Sequence, residues 1–357
     1  MTTQRIQPRD DLALMEGYHS PQVDVAVRLN TNESPFPPPA AFGQRLAASV
    51  ADVQWHRYPD RAASELRTRI GALHGVGPEQ VFAANGSNEV LQTLLLTYAG
   101  FGRTVATFEP TYALHAHIAR LTGAGVIEGE RDDEFVLHLD EVDRVLAVGN
   151  PRVLFLCSPN NPTGREESRE LVEAVLERMT AQGGLLVVDE AYGQFASWSA
   201  VDLIAEETPL VVTRTYSKTW SMAAARLGYL VGPAWVVAEL EKIVLPYHLD
   251  VLKQRAGVIA LDLAEDMEAR VAAVVEERER VMGALGQLPV DVWPSGANFV
   301  LLRPRERSGD EVWNSLLQHG VLVRNCASWP RLEGCLRVTI GTPAEDELFL
   351  AALKEAL

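Results

Sequence analysis

Residues 213–229 read TRTYSKTWSMAAARLGY, with Lys218 set among hydroxyl residues and Arg226 eight positions further on. An amine is a nucleophile only when deprotonated, and a nearby cation and partial loss of water both lower a lysine's pKa. The stretch therefore suits a lysine that forms a Schiff base, with Arg226 favouring its neutral form. Thr215 and Ser217 offer hydroxyls to the oxygens of a bound phosphate. A solvated turn is the plainer reading of Ser-Lys in a loop, and the neighbouring segments decide between the two.

On either side of the lysine, LVVTRTYS (210–217) is one of a series of apolar runs, several of which alternate with helical patterns. VFAA (81–84) leads into NEVLQTLLLTYA, and TVATF (104–108) into TYALHAHIARLTG; VLFLC (153–157), GLLVVDEAY (184–192) and GYLVG (228–232) repeat the strand signal. Such alternation over about 150 residues predicts an α/β fold with a mostly parallel sheet covered by helices. Ligands of such sheets sit at the carboxyl ends of the strands. The polar clusters of this chain come after its apolar runs in that way.

Towards the N-terminus, Ala62 to Leu73 has helical spacing and HGVGP (74–78) stops it. Residues 1 to about 45 are rich in proline, with PFPPP at 35–39, and are expected to form an extended, irregular arm. Beyond Trp235 the pattern is helical to Val281, with LPYHLDVLKQ as a possible break. The tail gives short strands, NFVLLR, GVLVRN and CLRVTIG, between helices at 310–319 and 344–357. The expected organisation is a large domain, residues 46–265, and a smaller α/β domain made of residues 1–45 and 266–357.

Composition narrows the function. The 357 residues carry a formal net charge of −16, which disfavours a polyanionic partner such as nucleic acid. Any anion must be bound locally. Cys157, Cys326 and Cys335 have no metal-ligand spacing and form no even disulfide framework, which favours a reducing cytoplasm. No apolar export signal or run of 18 apolar residues is present, and GxGxxG, GxxxxGK[ST] and HExxH are all missing. No metal site is expected.

Four further segments carry chemistry. Asn85 to Glu89 lies between a strand and a helix, where free N–H groups and the helix dipole favour either a phosphate or a simple cap. SPNNPTG (158–164) is a rigid turn that directs Asn161, either towards a ligand oxygen or merely as turn chemistry. Asp189 ends the apolar run LLVVD, where a carboxylate needs a cation or several donors; a protonated ring nitrogen and a helix cap both answer that need. Tyr192 comes three residues later. Arg324 and Arg337 fall on neighbouring predicted strands, positioned to clamp carboxylate or phosphate groups, although arginines in strands are commonly just exposed.

Together these segments resemble the class I/II aminotransferases, pyridoxal 5′-phosphate enzymes of fold type I. Within that group the likeness is to the histidinol-phosphate aminotransferase branch. It runs over essentially the whole chain through LNTNESPFPP, HRYPD, ANGSNEVLQ, EPTYALH, SPNNPTG, VVDEAYGQF, RTYSKTW, RLGY, LPYHL, NFVLLR and GVLVRNCASWPRLEGCLRVTIGT. The resemblance implies that Lys218 carries the cofactor and shuttles the proton, and that Asp189 partners the pyridine nitrogen. It implies Tyr192 and Asn161 at the ring's phenolic oxygen and Tyr112 stacked on the ring. Ser87, Asn88, Thr215, Ser217 and Arg226 would hold the phosphate.

Tyr58, in HRYPD, is similar to a tyrosine that reaches the cofactor phosphate of a partner subunit, which implies a homodimer. Tyr18, Arg324 and Arg337 resemble the clamp for histidinol phosphate, glutamate and 2-oxoglutarate. Two departures bear on substrate preference: Ser34 stands where the family often has asparagine, and NCASWP comes after Arg324 where many relatives have a more polar run. The rival readings are an aromatic (phenylalanine) aminotransferase on the same scaffold and a decarboxylase of a phosphorylated amino acid. A cofactor-sensing regulator would need a DNA-binding segment ahead of the domain. A purely structural homologue would not fill every matched position.

Overall fold

The N-terminal arm is more regular than its prolines lead one to expect. In the computed structural model, which describes residues 6, 7, 9, 10, 12, 17 and 23–357, strand β1 (Val27–Leu29) precedes PFPPP and helix α1 (Ala40–Val50) comes after it, with Pro39 as N-cap. Proline's fixed φ suits a helix start. The run therefore delivers the chain into α1 instead of prolonging an irregular segment. Tyr18 lies outside the described residues. Helix α2 (Ser64–His74) stops at Gly75, which takes a left-handed φ of 68°.

Seven strands then build the large sheet. Along the chain come β2 (Val81–Ala84), α3 (Ser87–Tyr98), β3 (Thr104–Glu109), α4 (Leu114–Leu121), β4 (Gly125–Glu130), α5 (Leu139–Gly149), β5 (Val153–Cys157), α6 (Arg169–Ala181), β6 (Leu185–Asp189), β7 (Leu210–Thr215) and β8 (Gly228–Val231). The strand order is β2-β8-β7-β6-β5-β3-β4, and β8 runs antiparallel to both of its neighbours while the pairs from β7 to β4 are parallel. β4 had no apolar run to announce it, because this edge strand leaves most of its side chains partly or fully exposed.

Alternation along the strands explains the continuous apolar runs. Phe155, Val187 and Val211 face one core with α3 and α7 (Ala234–Ile243), whereas Leu154, Leu156, Leu186 and Val188 face another with α5 and α6. Both faces are buried, so no polar alternation survives.

After the break at 244–250 come α8 (Val251–Leu261) and the long α9 (Ala264–Leu285). A second sheet uses β9 (Val290–Val292), β10 (Phe299–Pro304), β11 (Val321–Asn325) and β12 (Leu336–Thr339) in the order β1-β11-β12-β10-β9. Helices α10 (Gly309–Gln318) and α11 (Pro343–Ala356) cover it, each opened by a capping box, Ser308 with Glu311 and Thr342 with Glu345.

β1 pairs with β11 in parallel, Val27 opposite Val321, so the arm completes a sheet otherwise made by the tail. α9 spans two cores: Met267 packs with α2 and α8, and Val281 and Leu285 pack under the small sheet. Tyr192 and Phe195, just beyond β6, join that small-sheet core and bring the strand ends of the large sheet against it. Among the described residues no helix is long and apolar enough to cross a membrane.

Candidate active site

The carboxyl ends of β5, β6 and β7 lie side by side, with Cys157 opposite Asp189 and Asp189 opposite Thr213. They floor a cavity of about 440 Å³ that lies under the arm and the small sheet. Eleven of the expected site residues line it: Ser87, Asn88, Tyr112, Asn161, Asp189, Tyr192, Thr215, Ser217, Lys218, Arg226 and Arg337. Two of the described ones do not: Tyr58 is 80% exposed and stacks on Tyr247 at 4.5 Å, and Arg324 lines an adjoining cavity.

Asp189 is buried but well supplied with donors. Oδ1 accepts from the Thr213 hydroxyl and the Ala191 N–H, both at 3.1 Å, and Oδ2 accepts from His115 Nε2 at 2.9 Å. A carboxylate can only accept, so His115 carries its proton on Nε2. The imidazole is held by stacking on Phe155 at 4.4 Å and by the edge of Tyr112 at 5.3 Å. His115 falls in EPTYALH, but nothing local marks it as a partner of a residue 74 positions away.

Next in sequence, Glu190 has a different fate. It binds the buried Arg214 guanidinium at 2.6 Å, as well as Ser199 and the Ala200 N–H. One carboxylate of the pair is thus neutralised within the protein, while the other faces the cavity.

Lys218 Nζ donates to the Thr31 carbonyl at 3.0 Å and sits 5.8 Å from the centre of the Tyr192 ring. Burial, and after it the positive field of Arg337, pulls its pKa down to about 7; Glu33 opposes the shift and Arg226 adds to it. The amine is therefore largely neutral just above neutral pH. Tyr192 is pushed the other way, up to about 12, chiefly by burial. Its hydroxyl stays protonated and accepts from Asn32 Nδ2 at 2.9 Å.

An anion cradle closes one end. Thr215 Oγ1 and Ser217 Oγ are 3.0 Å apart, and Arg226 Nη1 donates to Ser217 Oγ at 3.4 Å. They face the start of α3, where Gly86 provides no side-chain cap. A Cβ on Gly86 would come within 3.0 Å of Arg226 Nη2, and one on Gly228 within 2.3 Å of Ser87 N. Both glycines keep this corner open to backbone approach. Hydroxyls, a guanidinium and a helix N-terminus are the donor set that a phosphate monoester requires, so the residues fit a phosphorylated ring held on Lys218.

The other end is built from the arm and β12. Arg337 donates from Nη1 to Asn161 Oδ1 and from Nη2 to the Asn30 carbonyl at 2.9 Å, which leaves the Asn161 NH₂ to face a ligand oxygen. Arg337 Nε is buried with no partner among the described residues. Asn32 is tied to Thr339 through its N–H at 2.9 Å. Asn30, Thr31, Asn32 and Trp329 were not singled out from the sequence, although LNTNESP and NCASWP were. Their signal is tertiary.

A parallel sheet with a desolvated lysine, an aspartate and a phosphate cradle at its strand ends defines an enzyme that works through a lysine-held, phosphorylated cofactor. The chain belongs to the aminotransferase class I and II family, whose model matches residues 24–353. It is 43% identical over 354 residues to a histidinol-phosphate aminotransferase of Mycolicibacterium smegmatis, covering 96% of this chain and 92% of that one. To the enzyme of the same name from Frankia casuarinae it is 42% identical over 363 residues, covering 98% and 90%. The solved histidinol-phosphate aminotransferase of Sinorhizobium meliloti in complex with pyridoxal-5′-phosphate superposes with a TM-score of 0.83 over 93% of this chain and 91% of that one. At 22% identity it shows the fold.

Proposed function

We propose that this enzyme moves an amino group reversibly between histidinol phosphate and 2-oxoglutarate, giving imidazole-acetol phosphate and glutamate, with pyridoxal 5′-phosphate held on Lys218. The observation that carries the reading is the likeness of more than 40% over nearly the full length to histidinol-phosphate aminotransferases. The cavity supports it by gathering lysine, aspartate, cradle and arginine in one place.

When bound, pyridoxal phosphate supplies an aldehyde carbon and an electron-withdrawing ring. Lys218 would hold the aldehyde through its neutral amine and would carry a proton on Nζ. Asp189, oriented by His115 and Thr213, holds the ring nitrogen protonated, while Tyr192 and Asn161 donate to the phenolic oxygen. Tyr112 would stack on the ring, and Ser87, Asn88, Thr215, Ser217 and Arg226 would hold the phosphate. Arg337 grips the anionic group nearest the reacting carbon and Arg324 the distal side, with Tyr18 as a further member of the substrate clamp.

Tyr58, exposed on this chain, reaches the site of a second subunit in a homodimer. The division proposed is a large domain over residues 46–265 and a small one made of residues 1–45 with 266–357. The buried, unpaired thiols of Cys157, Cys326 and Cys335 suit a cytoplasmic enzyme.

The test is a panel of amino donors on purified enzyme, with histidinol phosphate and phenylalanine each run against 2-oxoglutarate as the common acceptor, and glutamate run against imidazole-acetol phosphate and phenylpyruvate. Histidinol phosphate should give the highest kcat/KM, and Lys218→Ala should abolish turnover. A preference for phenylalanine would move the assignment to the aromatic aminotransferases, and release of carbon dioxide would move it to the decarboxylases.

A further inference from the structure

Arg324 and Arg337 are directly opposed across the antiparallel β11–β12 pair. Like charges at such positions repel and are destabilising. Arg337 has the Phe299 ring at 5.2 Å as well, but Trp329 is within reach of both cations. The Arg324 guanidinium lies 5.4 Å from the centre of its ring and that of Arg337 lies 6.0 Å away, both within the range in which an aromatic face attracts a cation. The same indole lines the main cavity, whereas Arg324 lines the adjoining one of about 500 Å³; Asn30 forms a wall of both.

Trp329 is itself held firmly. Its loop is closed by the Cys326 N–H to the Cys335 carbonyl at 3.0 Å, and the Trp329 N–H binds the Cys326 carbonyl at 2.9 Å. The ring packs on a buried cluster of Leu332, Cys326, Cys335, Phe135 and Trp293. Arg331, two residues on, pairs with Glu130 and Asp133 at the end of β4, which ties this small-sheet loop to the large sheet.

We propose that Trp329 is a positioning residue for substrate specificity: its face holds the Arg324 guanidinium in the adjoining cavity, across the β11–β12 pair from Arg337, so that a substrate reaching past Asn30 from one cavity to the other meets both cations. The inference rests on the amino-transfer reading for the anionic character of the substrate. It adds a role for an aromatic residue that carries no charge of its own.

The test is a double-mutant cycle of Trp329→Leu with Arg324→Ala, with Trp329→Phe as the conservative control, on the cofactor-loaded enzyme. Trp329→Leu should raise KM for glutamate and histidinol phosphate roughly tenfold, the scale of one desolvated cation–π contact, with kcat changed by less than about threefold. Trp329→Phe should recover most of the loss. In the Arg324→Ala background the leucine substitution should matter by less than about threefold, because the group it positions is gone.

Independent, multiplying effects in the cycle would overturn the proposal. So would a phenylalanine variant as poor as the leucine one, or a change confined to cofactor affinity or melting temperature. Failure of the wild type to use histidinol phosphate would sink the functional assignment instead, and the cycle read on glutamate would still decide the role of Trp329.

Discussion

The two ends of the cavity are made in different ways. The floor, with Asp189, Thr215, Ser217, Lys218 and the start of α3, comes from the strand ends of one sheet. Each group sits just after an apolar run that places it. The rim joins residues far apart in the chain: Arg337 to Asn30 and Thr339 to Asn32 are each separated by 307 positions. The floor is a property of one sheet, and the rim exists only once β1 has paired with β11. On the proposed reading, cofactor chemistry is built on the strand ends of one sheet and substrate choice on the contact between two cores.

The largest effect expected from this contrast lies at the floor. Asp189→Asn should lower kcat roughly a thousandfold, the equivalent of about 4 kcal/mol, because a buried charge loses its partner where negative charge develops. The cofactor should still bind through the cradle, and single-turnover absorbance would record both facts. Near-normal turnover would make Asp189 a loop cap.

At the rim, Arg337→Lys should cost about a hundredfold in kcat/KM for glutamate, since an ammonium cannot reproduce a planar, bidentate grip. Cofactor affinity should stay within a few-fold. An equal loss in both would show that floor and rim are one unit.

Lys218 belongs to the floor but donates to Thr31 of the arm, and its titration probes the boundary between the two regions with the smallest effect. Its folded pKa of about 7 lies below the ordinary value of 10.5, so the neutral, reactive amine is present above about 7 and lost below it. Capture of pyridoxal phosphate by cofactor-free enzyme, monitored by absorbance, should be about tenfold slower at pH 6 than at pH 8. Arg337→Ala removes a neighbouring cation and should move that midpoint upward. An unmoved midpoint would leave burial and Arg226 as the causes of the lowering.

Much of the floor is legible in the sequence. Continuous apolar runs ending in polar residues have one common explanation in an α/β chain, a doubly covered sheet whose strand ends meet a ligand. Lys218, Asp189 and Asn161 are placed by that logic. β4 is not, because an edge strand with mostly exposed side chains has no apolar pattern to show. α1 is hidden within the proline-rich arm, because local composition signals a break in structure without specifying the element beyond the break.

The layered fold, the lysine and its aspartate, and the cradle are all written in the chain, since each depends on local pattern and strand order. The packing of the folded molecule was needed to show that His115 orients Asp189 and that Asn32 and Thr31 cap the site from the arm. The same holds for Arg324 and Arg337, which face one indole from two cavities. Hydrogen bonds between residues 74 to 307 positions apart leave no periodicity in the chain, since their geometry arises only when separate cores pack together.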